Sequence, residues 1–406
     1  MRAWTWTLTW THPSTWTGAR GFGRAGLALG MAVSMAWGPG GCAGDDGSEP
    51  AASGSSGDAT SADDGGTMTT TPGDGADDTP GDSMGDTVGD TVDGTMDGPD
   101  DTVGDTMDGP DDTMGDATET GDPDQDPLEG MGALELLADG YLYTEGPLWS
   151  AAGGHLTFTD ISGDTIYRYT PGEGVVVFRG PTVPPSFSNG LAWDLDGTLI
   201  ACEHSPQRIT RGDAAEETLA DMWMGQVLNA PNDVVVHSGG GMYFTDPALA
   251  TMPQFGGVTT ELDFQGVYRI APDGTLELLW DQFPAPNGVG LSPDESTLVV
   301  TDTTLGAAFT FDLDAAGVPM SDPTQIYDQI PIADGMCVDA NGNLYMTSEL
   351  GVVVTRPDGT LWGTIAVPAR PANCAFGGDD LRTLYITAQD ALHSVELAVP
   401  GLPVTG

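Results

Sequence analysis

No lysine occurs anywhere in this 406-residue chain, and its 11 basic residues, all arginine, face 61 Asp and Glu for a formal charge of -50. A deficit of that size excludes a nucleic-acid or anionic-membrane binder that works through its own charge. Helical periodicity is missing too. No stretch carries an apolar stripe of about 3.6-residue spacing and useful length, which argues against a parallel-sheet α/β protein. Cysteine is scarce, with 4 residues and no Cys-x-x-Cys. Cys202, Cys337 and Cys374 therefore read as small buried apolar residues, and a Cys337 to Cys374 bridge is an alternative that spacing leaves open.

What is present divides into three parts: 1–42, 43–129 and 130–406. Residues 1–24 carry Arg2, Arg20 and Arg24 and no acid, and are followed by an apolar run over 25–37. That run is too short to span a bilayer comfortably and has the layout of a secretory signal peptide. Gly40-Gly41-Cys42-Ala43 resembles a bacterial lipoprotein signal, in which the cysteine is lipidated, although Pro39 stands where such signals usually have leucine. The expectation is an exported protein anchored through Cys42 at the cell envelope, with plain secretion or a misplaced start codon as the other readings. The membrane is then met only through the lipid. Residues 43–129 hold 26 acids and no base. With almost no bulky apolar residue, this segment cannot offset its ordering entropy and reads as an extended, disordered spacer. A calcium-binding acidic repeat is disfavoured, because the glycine-rich nonapeptide order is absent.

The last part retains 35 acids against 8 arginines, and one phrase recurs in it. A polar residue and a small one lead into a first apolar strand; a Gly or Asp turn follows, then a second apolar strand. The copies open at Glu145, Asn189, Asn232, Asn287, Asp334 and Asn373, so the starts lie 44, 43, 55, 47 and 39 residues apart. That is the length of a four-stranded propeller blade. The sixth copy ends one strand short after Ala391-Leu-His-Ser-Val-Glu-Leu, while Ala133-Leu-Glu-Leu-Leu is a spare strand ahead of the first. Pairing them would close the ring and hide an open edge. The spacing thus predicts an all-β, six-bladed β-propeller over 130–406, expected to be monomeric.

If each first strand lines the channel, six oxygen-bearing side chains meet at one mouth. The antiparallel second strands would add Asp160, Glu203, His204, Asp246, Asp302 and Glu349 at the same face. Carboxylates and amides converging without a cysteine or histidine cluster favour a hard cation, calcium ahead of magnesium or manganese, over zinc. Singly, such residues often only bond nearby backbone. The longest copy, the third, carries its excess in residues 247–265, where Met252, Pro253, Phe255 and Phe264 suggest a lid at that mouth.

Here the residues resemble the gluconolactonase/regucalcin (SMP-30-like) family of six-bladed propellers. The phrases are Glu145-Gly-Pro, Asn189-Gly-Leu-Ala-Trp, Ala230-Pro-Asn-Asp-Val-Val-Val, Tyr243-Phe-Thr-Asp-Pro, Pro286-Asn-Gly, Asp334-Gly-Met and Leu381-Arg-Thr-Leu-Tyr-Ile-Thr. The resemblance implies a divalent cation, usually calcium, on Glu145, Asn287 and Asp334 with Asn232 nearby, and hydrolysis of a sugar lactone or related cyclic ester with Asp334 as general base. His204, Asn189 and Asn232 would contact substrate or support the site. One departure stands out. A basic residue usual shortly before the Pro-Asn-Asp phrase is replaced by Gln226-Val227-Leu228-Asn229, which opens the way to a more apolar lactone. A metal-stabilised binding propeller without chemistry, and a phosphotriester or aryl-ester hydrolase on the same site, are the alternatives.

Overall fold

The computed structural model describes residues 122–213 and 216–403. The expected signal segment, Cys42 and the expected linker as far as residue 121 lie outside the described residues. Each copy of the repeated phrase forms one antiparallel four-stranded sheet, strands following in chain order. In blade I these are Thr144–Ser150, His155–Asp160, Thr165–Thr170 and Gly174–Arg179. The innermost strands of blades II to V are Ser188–Trp193, Val234–Val236, Pro286–Leu291 and Met336–Val338. Blade VI is closed as expected: Asn373–Gly377, Thr383–Ala388 and Ala391–Glu396 are completed by Glu135–Asp139, from the N-terminal side of blade I. Glu135 pairs with Ser394 and Asp139 with Ala391.

The burial pattern explains why these strands stack radially. The inner strand of blade I is buried at every position, as is its counterpart Pro286–Leu291, whereas the outer strand Gly174–Arg179 is half open. The apolar core is divided accordingly into six clusters, one wedged between each pair of neighbouring blades. Leu148, Ile166, Leu191, Trp193 and Leu199 join blades I and II. Trp149 and Tyr385, stacked at 5.5 Å and 12°, join blades VI and I across the closure. Cys337 and Cys374 are free thiols in neighbouring inner strands with their Sγ atoms 2.7 Å apart, and Cys202 is buried in the wedge between blades II and III.

The recurring Thr-Asp phrase at the end of second strands has a local purpose. Its threonine hydroxyl donates to the backbone carbonyl of the next blade's channel residue: Thr159 to Asn189 at 3.1 Å and Thr301 to Asp334 at 2.6 Å. Its aspartate accepts the backbone N–H groups that lead into its own inner strand: Asp160 from Leu142 and Tyr143, Asp246 from Asn229 and Ala230, and Asp302 from Ala285. The glycine after the channel residue allows the neighbouring backbone to come close. A Cβ on Gly146, at φ +46°, would fall 2.1 Å from the Asn189 carbonyl oxygen, and one on Gly288 would fall 2.7 Å from that of Asp334.

Candidate metal and active site

At the mouth where the inner strands begin lies a cavity of about 180 Å³ lined by Tyr143, Glu145, Asn189, His204, Asn232, Asn287, Asp334 and Arg370 on its polar side. Leu249, Met252 and Phe255, from the 247–265 excursion, and Ile161 form an apolar roof. The excursion folds into two 3-10 turns, Ala248–Thr251 and Pro253–Phe255. It is fixed by the edge-on contact of Phe255 with Tyr143 at 4.9 Å and by Ser162 donating to the Gln254 carbonyl at 2.8 Å. The expected lid therefore stands over the expected mouth.

Five of the six residues that open the copies line this cavity. Asn373 does not; its side chain hydrogen-bonds the carboxylates of Glu145 and Asp233 one layer down the channel. Of the second-strand residues, only His204 reaches the cavity. Asp160, Asp246 and Asp302 are spent on backbone N–H groups, and Glu203 is buried in a salt bridge with Arg208 at 2.7 Å. Glu349 is exposed. That half of the expected ring is structural, because an aspartate at a strand end finds unpaired N–H groups nearer than the channel axis.

Asn287 Nδ2 donates to Asp334 Oδ1 at 2.8 Å and to Thr303 Oγ1 at 3.0 Å. Arg370 Nη1 donates to Asp334 Oδ2 at 3.2 Å, and its Nη2 to the Tyr143 hydroxyl at 2.5 Å. Burial raises Asp334 to about 6 against the opposing pull of Arg370 and Asn287. Burial first, and the charge of Asp334 second, push Glu145 well above the usual carboxylate range. His204 is depressed to about 4 by burial. Its Nδ1 lies 2.9 Å from the Phe255 carbonyl, which can only accept, so Nδ1 carries the proton and Nε2 accepts from the Asn189 amide at 3.2 Å.

Tyr143 and Arg370 were not legible in the sequence, since both lie outside the repeated phrase: Tyr143 precedes it, and Arg370 sits in the connection between blades V and VI. The residues present fit a hard divalent cation. When ionised, Glu145 and Asp334 face one guanidinium between them, and the side chain of buried Asn232 has no hydrogen-bond partner among the described residues. Among the described residues, no three of His, Cys, Asp and Glu gather as a metal site; the donor set is instead two carboxylates with amides. A larger cavity of about 590 Å³ opens at the other end of the channel, walled by Trp149, Trp193, Val236, Leu291 and Phe376. Its greater size does not make it the reactive site, because the polar groups on its wall are already engaged: Asp233 accepts from the Val234 and Val289 N–H groups and from the Asn373 side chain, Asp294 bonds Ser292 and Ser296, and Glu295 accepts from Ser238.

Residues 143–390 match the model of the SMP-30/gluconolactonase/LRE-like region. The chain is 30% identical over 280 residues to a gluconolactonase of Zymomonas mobilis subsp. mobilis, covering 63% of this chain and 78% of the relative. It is 28% identical over 265 residues to regucalcin of Oryctolagus cuniculus, covering 63% and 86%. The solved structure of a gluconolactonase from Xanthomonas campestris superposes with a TM-score of 0.62 at 33% identity, covering 67% of this chain and 91% of the other.

Proposed function

The chain belongs to the SMP-30/gluconolactonase/LRE-like family, and from that premise we propose that it hydrolyses a sugar lactone in the cavity of Glu145, Asn287 and Asp334. A divalent cation, calcium first, would be held there. The observation that carries this reading is the convergence of those three side chains, with Asn232, beneath an apolar roof. Glu145, Asn287 and Asp334 would bind the ion through oxygen. An ion so held supplies positive charge that polarises a lactone carbonyl.

The remaining roles belong to the chain. Asp334, with both carboxylate oxygens at the cavity's polar side, accepts the proton of the attacking water. Water adds to the carbonyl carbon, the ring C–O bond breaks, and the ring oxygen leaves with the proton that Asp334 had accepted, as the hydroxyl of a hydroxy acid, which returns Asp334 to its carboxylate form. Phe255, Met252 and Leu249 keep bulk water out. His204 holds the Asn189 amide on one side and the lid carbonyl on the other, leaving Asn189 and Asn232 to face the substrate. The similarity to gluconolactonases supports this reading over the binding-only and phosphotriester alternatives. Export and lipidation at Cys42 remain part of the proposal, testable by the mass of the mature N-terminal peptide.

The deciding experiment is pH-stat hydrolysis of glucono-1,5-lactone, corrected for spontaneous opening, with calcium and then with chelator. Turnover should vanish on chelation and fall by about 100-fold or more in Asp334→Asn and Glu145→Gln, with the melting temperature of each variant close to that of the parent. Turnover indifferent to chelator, or retained in either variant, would overturn the reading.

A further inference from the structure

The basic residue missing before the Pro231-Asn232 phrase has a substitute elsewhere in the fold. Gln226 lies in an exposed hairpin, where its amide donates to the Glu261 carbonyl at 2.7 Å, and it does not line the cavity. Arg370 does, entering from the connection that leads into Asn373–Gly377, and it is the one cationic side chain among the cavity-lining residues. Its guanidinium is gripped along one side, by Asp334 Oδ2 at 3.2 Å and by the Tyr143 hydroxyl. A guanidinium carries more N–H donors than those two bonds use, and the side chain keeps 26% of its surface open. The roof opposite is apolar and offers no competing acceptor side chain.

We propose that Arg370 is the specificity-determining residue of this cavity: a guanidinium held by Asp334 and Tyr143, whose free N–H groups hydrogen-bond the ring hydroxyls of an oxygen-rich lactone. The inference rests on the lactone-hydrolase reading. It replaces the apolar-lactone expectation, which followed from Gln226, because the cation is supplied by another blade. A planar fork suits paired hydroxyl oxygens better than a lysine ammonium would.

Three measurements on wild type, Arg370→Met and Arg370→Lys test it. The ratio of kcat/KM for glucono-1,5-lactone over that for unsubstituted δ-valerolactone should fall about 10- to 100-fold in Arg370→Met, the range for lost hydrogen bonds to a charged group, with partial recovery in Arg370→Lys. An unchanged ratio overturns the inference. Binding of 1,5-anhydro-D-glucitol, which bears the ring hydroxyls and cannot be hydrolysed, should weaken about 10-fold or more in Arg370→Met; equal binding overturns the inference whatever turnover shows. Should wild type turn over neither lactone while Arg370→Met still loses the polyol, the hydrolase reading falls and the role of Arg370 stands. Calcium affinity, read by calorimetry, should hold or tighten in Arg370→Met, because a cation beside Asp334 has been removed. A tenfold weakening would show Arg370 to be a scaffold for Asp334 instead.

Discussion

His204 shows how one residue's neighbours decide its chemistry. The Phe255 carbonyl takes its Nδ1 proton and the Asn189 amide fills its Nε2 lone pair, so the ring has no free basic site to offer a substrate. Burial depresses it to about 4. The folded value lies below the unfolded one, so the stability it contributes is full above about pH 6.5 and is lost as pH falls through 4. Protonation would set an N–H against the Asn189 amide, while the Nδ1–H bond to the Phe255 carbonyl persists. The His204 imidazole should therefore titrate below pH 5 by NMR, with the side-chain amide signals of Asn189 shifting over the same range. Titration near 6.5 would contradict this account. Asp334 differs in having a guanidinium beside it, which opposes the effect of burial and keeps a carboxylate available near neutral pH.

At the scale of the element, the Thr-Asp pair is the device that converts a repeated phrase into a site. Each threonine crosses to the next blade and each aspartate organises its own, so the channel residues are set by hydrogen bonds between sheets as well as within them. Thr301 is the instance that bears on chemistry, because its partner is the carbonyl of Asp334. Thr301→Val keeps the shape and removes the donor, leaving a buried carbonyl with one bond fewer. It should cost about 1–2 kcal/mol in urea unfolding and lower kcat more than it raises KM. A variant with full stability and full kcat would show that the hydroxyl is not what positions Asp334.

At the scale of the whole molecule, the ring is held at its seam by a strand from before blade I, and by more chain than the 130–406 boundary expected from the sequence. Leu128 packs on the wedge between blades V and VI, the Pro127 carbonyl accepts from Ala398 N at 3.2 Å, and Asp124 pairs with Arg356 at 3.1 Å. A chain beginning at residue 130 should melt roughly 2–6 °C below one beginning at 122, for a loss of about 1–2 kcal/mol. Equal melting temperatures by calorimetry would remove the seam from the stability account. The sequence alone determined the blade count, the closing strand, the lid and the positions Glu145, Asn189, Asn232, Asn287 and Asp334, because a repeated unit writes an oxygen-bearing side chain at the same point of each copy. Only the tertiary structure decided that Asn373 turns down the channel, that Asp160, Asp246 and Asp302 bind backbone, and that Arg370 and Tyr143 complete the cavity. Those outcomes depend on which partner lies nearest once the sheets stand side by side, and on connections between blades that obey no period.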